Sequence, residues 1–376
     1  MGGRDRAAGA LRSRRLGAGG GRPAPRARRA AVAEAVTADG PRSDDAEPKS
    51  APITTLGSWE GDGVTVAQIA AALSELRRHE QRAAVRTSVL TLVAVVRDPE
   101  IVDVTIDTVR ELGARHPSRT LVLVVADTDD DPGIDAIVSV HSLRDQGPTV
   151  CFEDVVLRVR GPARWHLDSL IEPFTLPDLP VAVWLPNRLP SPGDPLLRTA
   201  DRLVVDTRAI GDQPDSLAQV ARLLRRLPVT DLSWVRIAPW RSLLAGLFEG
   251  HASRPFLDHV TRVEVAGHYG PRHLLAGWLM ATLELTRAHV HIEEAEHVSI
   301  HISAEHEGRV GRFAVARPAA ERVIHSSVEI DDGPTIDQTW RLRARWPSRS
   351  LADALTRMGD DPVYRRALRG ALELVS

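Results

Sequence analysis

Three aspartates in the segment "DTDDDPG" have the spacing of calcium ligands. Asp127, Asp129 and Asp131 stand where the first three ligands of a helix-loop-helix calcium site would be. Such a loop also needs glycine at its sixth position and glutamate at its twelfth, where this chain has Pro132 and Val138. That loop is therefore excluded. Carboxylates at the end of a buried strand could still hold magnesium, but a solvated turn stabilised by its Asp side chains is the simpler interpretation, and we favour it.

Histidines are concentrated in "AHVHIEEAEHVSIHISAEHEG". His289 and His291 are two residues apart, so on a strand they would point to the same side, as metal ligands require. The chain has no H-E-x-x-H motif. Histidines alternating along the wet side of a sheet account for the pattern without a metal, and we predict no metal site here.

Signals for nucleophilic catalysis and nucleotide binding are weak. Cys151, the single cysteine, would be a nucleophile only beside a histidine, and a buried thiol at the start of a strand is the simpler interpretation. The G-x-S-x-G motif is absent. The glycines of "GAGGGRP" lack the flanking strand, helix and Gly-Lys-Ser/Thr of a phosphate loop. The sequence therefore predicts no catalytic residues and no cofactor.

Charge and hydropathy exclude two classes of partner. The formal net charge is −2, yet the first fifty residues carry eleven basic and six acidic side chains, so the remainder is mildly acidic. A nucleic-acid-binding surface needs clustered positive charge, which this distribution does not predict. The longest strongly apolar run, Val89 to Val96, is far below the roughly eighteen residues that span a bilayer. One cysteine fits a reducing compartment, and we expect a cytoplasmic protein.

The first part of the chain predicts a layered α/β domain. Residues 1–60 are rich in Arg, Ala, Gly and Pro and are expected to form a disordered extension. From residue 61 to 228, a helix that Thr65 can cap is followed by buried strands alternating with helices. Continuous apolar strands are typical of a mostly parallel sheet with both faces covered. The predicted strands are "SVLTLVAVVRD", "SRTLVLVVAD", "EDVVLRVRG", "PVAVWLP" and "DRLVVDT".

Residues 229–376 predict a smaller α+β domain. Four segments alternate polar and apolar residues, as antiparallel strands with one solvated face do: "HVSIHISAE", "GRVGRFAVAR", "RVIHSSVEI" and "TWRLRARW". Helices are predicted through "PRHLLAGWLMATLEL" before them and through "SLADALTRM" and "DPVYRRALRGALELV" after them.

The segment "DLSWVRIAPWRSLLAGLF" opens this second domain. Trp234 and Arg236 would share the solvent-exposed face of a short strand. Pro239 suits the first turn of a following helix. Trp240 begins an apolar stripe on that helix and is expected in the core.

Several stretches, in this order, resemble the glucose-6-phosphate dehydrogenase assembly protein family OpcA, in its actinobacterial type. They cover most of residues 85–372 and are "HPSRTLVLVV", "CFEDVVLRVRGPARWHLDSLIEPFTLPDLPVAVWLP", "DPLLRTADRLVVDT", "DLSWVRIAPWRSLLAGLF", "LLAGWL" and "DDPVYRRALRG". The resemblance implies a non-enzymatic partner of the dehydrogenase that promotes its assembly or activation in the pentose phosphate pathway. It supplies no active-site residues. Redox control through paired cysteines, associated with cyanobacterial members, would need an intermolecular bond here.

A partner surface should contain aromatic and arginine anchors. Two places bounded by proline offer them, and the predicted partner-binding residues are Trp184, Pro186, Asn187 and Arg188 in the first, and Trp234, Arg236 and Arg241 in the second. For each tryptophan, ordinary packing is the simpler interpretation. The alternative function is an α/β enzyme or sensor that binds a phosphorylated sugar at its strand ends through Arg119, Arg160 or Arg188.

Overall fold

A computed structural model describes residues 53–80, 88–116, 118–126, 132–143, 150–211, 213, 215–318, 322–331, 333–342, 347–356 and 359–375. All of them belong to one compact unit, residues 41–376. The strands are β1 (Ile53–Gly61), β2 (Thr91–Val96), β3 (Arg119–Val125), β4 (Gly133–Leu143), β5 (Val150–Arg160), β6 (Val181–Trp184), β7 (Arg202–Val205), β8 (Val229–Asp231), β9 (Val260–Gly267), β10 (Val290–Glu294), β11 (Ser299–His306), β12 (Arg309–Ala316), β13 (Val323–Ile330) and β14 (Ile336–Arg341).

The α-helices are mostly short in the first half of the chain and longer in the second. They are α1 (Val66–Glu80), α2 (Val102–Arg115), α3 (Leu167–Ile171), α4 (Leu196–Thr199), α5 (Thr207–Ile210), α6 (Ser216–Leu223), α7 (Leu232–Arg236), α8 (Ala238–Leu247), α9 (Tyr269–Leu283), α10 (Pro347–Thr356) and α11 (Pro362–Val375). None of the helices in these ranges has the length and apolar character needed to cross a bilayer.

The first sheet has eight strands in the order β1-β4-β5-β3-β2-β6-β7-β8. The six strands from β5 to β8 in this order are parallel, which confirms the α/β class. Alternate residues of β2 enter two cores: Val93 and Val95 the larger one, Leu92 and Ala94 a smaller one on the opposite face. Burial on both faces explains the unbroken apolar run that identified this strand.

The sheet is extended at one edge by an antiparallel pair that the sequence analysis missed. β4 pairs with β5, and β1 pairs with β4 from Ile53↔Leu143 to Gly61↔Ala136. The predicted disordered extension is therefore wrong for residues 53–60, since backbone pairing with β4 orders a segment of low hydrophobicity. Residues 1–52 lie outside the described residues. Thr65 caps α1 as predicted, through its Oγ1 and the backbone N–H of Gln68.

The second sheet has six strands in the order β10-β9-β11-β12-β13-β14. β10 and β9 are parallel, and the other pairs are antiparallel, as predicted for this half of the chain. Alternate residues of β11 are buried and more exposed, so one face packs on the core. β14, at the edge, is exposed along its whole length.

The last two helices return to the first half of the chain. α10 places Leu351 and Leu355 in the smaller core of the first sheet, and its Ser348 hydroxyl donates a hydrogen bond to Glu111 of α2. α11 packs closely on α9, where a Cβ on Gly277 would lie 2.1 Å from the backbone oxygen of Ala367. The division into domains at residues 228 and 229 stays a prediction, and within residues 41–376 the two halves are packed as one unit.

The predicted strand around Trp234 is wrong, because residues 232–236 form helix α7. Asp231 lies in extended conformation at the end of β8, and its side chain accepts a hydrogen bond from the backbone N–H of Ser233. This cap starts a helix at once, and the alternation of polar and apolar residues over so short a segment cannot distinguish strand from helix. Pro239 lies in the first turn of α8, and Trp240 is buried, both as predicted.

Candidate functional site

The carboxyl ends of β7 and β8 hold two aspartates that cap short helices. Asp206 follows β7 and accepts a hydrogen bond from the backbone N–H of Arg208 at 3.1 Å and another from the Ser233 hydroxyl at 3.0 Å. Asp231 ends β8 and accepts from the Thr207 hydroxyl at 2.7 Å. The two carboxylates therefore fix the chain leaving both strands at the edge of a parallel sheet where ligands commonly bind.

Asp231 is fully buried, and this burial is the main cause that raises its pKa to about 6. The nearby charge of Asp206 raises the pKa further, while hydrogen bonds from Thr207 and Ser233 act in the opposite direction. Tyr364 of α11 donates a weak hydrogen bond to Asp231 at 3.4 Å, and its own pKa is raised well above its usual value by burial and by that carboxyl group. The C-terminal helix thus contacts the carboxyl end of β8 directly.

A cavity of about 520 Å³ opens beside these aspartates, between the first and the second sheet. Four arginines line it, and we call it the arginine cavity: Arg208, Arg236, Arg317 and Arg322. Glu296 is the carboxylate among its lining residues. The volume lies within the range typical of small-molecule sites, about 300 to 1,000 Å³.

The arginines of this cavity come from both halves of the chain. Arg208 belongs to α5 and Arg236 to α7, next to the first sheet, whereas Arg317 follows β12 and Arg322 precedes β13 of the second sheet. The Arg236 guanidinium forms an ion pair with Asp206. The cavity is therefore formed only when the two sheets are in place together.

Positive charges interact unfavourably within the cavity. The Arg208 pKa is lowered, first by desolvation and then by the charges of Arg236 and Arg317, against the opposing effect of Asp206. The Nε2 atom of His268 lies 3.3 Å from the Nη2 atom of the Arg208 guanidinium. The pKa of His268 is lowered by burial and then by Arg208, which favours the neutral imidazole.

The first predicted partner-binding place divides into a buried tryptophan and a half-buried loop. Trp184 ends β6 and is 5% exposed, in the smaller core of the first sheet. Pro186, Asn187 and Arg188 follow it at the carboxyl edge and are half-buried. The Asn187 amide donates to Asp98 at 3.1 Å, and Arg188 lies 3.7 Å from an oxygen of Asp194.

The second predicted place forms a compact packed group. Trp234 is 5% exposed, and its indole N–H donates to Asp361 at 2.8 Å. The Arg241 guanidinium lies over the Trp234 ring, 3.5 Å from its centroid. Arg236 does not belong to this group, because its side chain lines the arginine cavity. The structure thus brings Trp234 and Arg241 together and places Arg236 at a different surface.

The arginines of the alternative sugar-phosphate function do not share one site. Arg119 begins β3, at the amino end of the strand, and forms an ion pair with Glu153 at 3.3 Å. Arg160 ends β5 and forms an ion pair with Asp135. Arg188 lies beyond β6, so the three side chains come from different strands and two opposite edges of the sheet.

Among the described residues, the candidate metal-binding histidines and the cysteine do not share one site. His289 lies in a 3-10 turn and is hydrogen bonded to Thr286, whereas His291 is exposed on β10. Asp127, Asp129 and Asp131 lie outside the described residues. Within the ranges that the structure covers, no group of three or more His, Cys, Asp or Glu side chains is placed to hold a metal. Cys151 is buried near the start of β5, as predicted.

Two features escaped the sequence analysis. One is the arginine cavity, whose side chains are separated by up to 114 positions between Arg208 and Arg322. The other is an exposed pair just after β5, where the Arg164 guanidinium lies 5.1 Å from the ring centroid of Trp165 and Trp165 is 60% exposed. The adjacent arginine and tryptophan in "GPARWH" were a visible signal for the second, but no local signal predicts the first.

The fold and this site define a two-sheet α/β protein with an arginine-lined cavity at the junction of its sheets. Two family domains match the chain: "Glucose-6-phosphate dehydrogenase subunit N-terminal domain" over residues 109–222, and the corresponding C-terminal domain over residues 227–368. The chain belongs to the OpcA glucose-6-phosphate dehydrogenase assembly family.

Two similar proteins are both described as "Putative OxPP cycle protein OpcA". The one from Synechocystis sp. is 26% identical over 185 residues, 46% of this chain and 39% of that protein. The one from Nostoc punctiforme is 23% identical over 268 residues, 62% of this chain and 56% of that protein. The matches thus cover well under two thirds of the length of either relative.

Proposed function

We propose that this chain binds glucose-6-phosphate dehydrogenase and favours its active oligomer, without catalysing a reaction of its own. It would thereby support NADPH production in the oxidative pentose phosphate pathway. The match of two successive dehydrogenase-subunit domains, over residues 109–222 and 227–368, is the observation that carries this proposal. The names of the two relatives point to the same pathway. Under the proposal the chain acts in the cytoplasm, and assignment to the actinobacterial type stays a prediction.

Thermodynamic linkage supplies the mechanism. A protein that binds the active oligomer more tightly than the dissociated form shifts the population toward activity. A tenfold preference corresponds to about 1.4 kcal/mol, which changes the ratio of the two forms tenfold at saturation. No acid, base or nucleophile is required of the activator.

We place the centre of the interface at Arg164 and Trp165. Arginine and tryptophan are the residue types that contribute most often to binding energy at interfaces, and an anchor must be accessible before the partner arrives. Trp165 meets this condition at 60% exposure, whereas the predicted anchors Trp184 and Trp234 are buried in the chain alone.

The predicted loop from Pro186 to Arg188 belongs to the same edge of the first sheet. Trp165 follows the carboxyl end of β5, and the loop follows that of β6. An ion pair between Asp168 of α3 and Arg198 of α4 joins the helices that follow these two segments. One partner could therefore cover both, with the loop at the rim of the interface.

The experiment mixes the purified chain with the dehydrogenase of the same organism and measures NADPH formation and mass by light scattering. Co-migration with a larger dehydrogenase oligomer and a higher rate are expected. Trp165→Ala should weaken association at least tenfold, as loss of an interface anchor does. The matched control is Trp340→Ala, which removes another exposed tryptophan, from the edge strand β14, and should leave association within twofold.

Three results would contradict the proposal. Absence of co-migration together with an unchanged rate would remove the assembly function. Equal loss of association in both tryptophan variants would remove Trp165 as the centre of the interface. Turnover of a sugar phosphate by this chain alone would show that it is an enzyme.

A further inference from the structure

We propose that the arginine cavity binds the phosphate group of a small phosphorylated metabolite. This site goes beyond the assembly function, because the ligand would bind to this chain itself. The cavity lies beside the carboxyl ends of β7 and β8 and between two sheets, two of the places where small-molecule sites are most often found. Its volume of about 520 Å³ accommodates a molecule larger than the phosphate group alone.

The positive charge of the residues that line the cavity favours an anionic ligand. Four guanidinium groups face the cavity, and Glu296 is the carboxylate that lines it with them. The nearby Asp206 is already engaged by Arg236, by the Ser233 hydroxyl and by the backbone of Arg208. Even with Glu296 and the ion-paired Asp206 counted, the four arginines leave the site with a net positive charge. A bound dianion would offset the repulsion of Arg208 by Arg236 and Arg317, which adds to desolvation in lowering the Arg208 pKa.

The guanidinium groups of the lining arginines favour phosphate among possible anions. Guanidinium groups present paired N–H donors that match two oxygens of one phosphate, and such hydrogen bonds are stronger than neutral ones. The phosphate ester is a dianion near pH 7, since its second pKa lies near 6. The phosphate oxygens can accept hydrogen bonds from more than one arginine at once, more readily than the two oxygens of a single carboxylate can.

The remainder of the lining accommodates the rest of the ligand. Ile237, Trp240 and Pro271 contribute apolar surface to the cavity wall, as do Val298, which precedes β11, and Leu342, which follows β14. His268 and His297 add polar groups. A site with apolar walls and a few polar groups suits an organic phosphate ester better than the inorganic ion.

The position of the arginines predicts that the ligand stabilises the fold. Arg208 and Arg236 are attached to the first sheet, and Arg317 and Arg322 to the second. A phosphate that contacts both pairs connects the two sheets and binds only the folded chain. Ligand binding should therefore raise the midpoint of thermal unfolding.

The test uses the full chain without the dehydrogenase. Isothermal titration calorimetry and thermal unfolding are measured with glucose 6-phosphate, with inorganic phosphate and with glucose, at equal ionic strength. Glucose 6-phosphate should bind and raise the unfolding midpoint, inorganic phosphate should bind more weakly, and glucose should do neither. Arg208→Gln and Arg317→Gln should each weaken binding at least tenfold.

The control variant is Arg262→Gln. Arg262 is an exposed arginine of β9 in the second sheet, paired with Glu264 at 2.7 Å and outside the cavity. The substitution removes the same charge and should leave the affinity within twofold. Unfolding of each variant without ligand shows that it is folded before its affinity is compared.

Several outcomes would overturn the inference. One is the absence of binding by both phosphates. Another is binding that Arg262→Gln weakens as much as Arg208→Gln does, since this is the behaviour of nonspecific charge. A third is no phosphate binding combined with loss of dehydrogenase association in Arg208→Gln, because the cavity would then receive an acidic group of the partner. Since the binding measurement omits the dehydrogenase, failure of the assembly function would leave it unaffected.

Discussion

The buried carboxyl group of Asp231 makes the stability of this chain depend on pH in an unusual direction. In the folded chain its pKa is about 6, mainly because burial disfavours the charged form, against an ordinary value of 3.8. Between these two values the folded state holds a proton that the unfolded state has lost. The stability that Asp231 contributes therefore falls as pH rises from about 4 to about 6, and is constant above.

The size of the effect follows from the two pKa values. One pKa unit corresponds to about 1.36 kcal/mol, so ionisation of Asp231 costs about 3 kcal/mol at pH 8 relative to a permanently neutral group. About half of that cost is already present at pH 5, where the unfolded chain is ionised and the folded chain is not. The change between pH 5 and pH 8 should therefore be about 1 to 2 kcal/mol.

Asp231→Asn removes the ionisation and keeps the shape of the side chain. The amide oxygen can still accept from the backbone N–H of Ser233, and the amide nitrogen can donate to the Thr207 hydroxyl. The variant should gain about 1 to 2 kcal/mol relative to the original chain when pH rises from 5 to 8. Urea unfolding at both pH values measures this difference, and any constant cost of the substitution cancels.

The control is Asp331→Asn on the second sheet. The pKa of Asp331 is lowered, first by its hydrogen bond with Arg309, so its ionised form stabilises the folded state and the variant should not gain stability as pH rises. The argument from burial would be refuted if the free energy of unfolding of Asp231→Asn, relative to that of the original chain, were the same at pH 5 and pH 8 or lower at pH 8.

Two further substitutions, the first with a matched control, test packing within the fold. Gly277→Ala should destabilise by about 2 kcal/mol net, because its Cβ would lie 2.3 Å from the backbone nitrogen of Ala371, whereas Gly246→Ala has open space and should be neutral or stabilising by up to about 1 kcal/mol; equal urea midpoints would contradict this. Trp234→Phe should cost about 2 kcal/mol, since the phenyl ring keeps part of the aromatic packing but the indole N–H and its hydrogen bond to Asp361 are lost, and an unchanged urea midpoint would contradict this.

The buried parallel strands were predictable because their chemistry is local. Residues 91–96 are buried at every position, so the apolar run itself carries the signal. β4 was missed because polar residues such as Asp135 and Ser139 interrupt "GIDAIVSVHSL", and the pairing with β1 and β5 that orders it is not visible in the segment itself. Around Trp234, the alternation of polar and apolar residues suggested a strand, but the hydrogen bond from the Ser233 N–H to the Asp231 side chain starts a helix there.

The arginine cavity was not predictable from the sequence, because its residues have no common segment. Arg236 was singled out beside Trp234 for a shared surface, but on a helix of 3.6 residues per turn, residues two apart point to different sides. Trp234 consequently enters the core and Arg236 the cavity. Which arginines meet Arg236 depends on how the second sheet packs, and only tertiary structure supplies that.

The C-terminal helix α11 explains how the cavity keeps its shape. Asp361 at its start binds the Trp234 indole, Tyr364 contacts Asp231, and the Arg365 guanidinium donates to the backbone oxygen of Leu224 at 3.1 Å. The same helix packs on α9, whose first turn contributes Pro271 to the cavity wall. A single element therefore contacts both the segment that carries Arg236 and the helix that contributes Pro271. Displacement of α11 would alter the cavity without changing any residue that lines it.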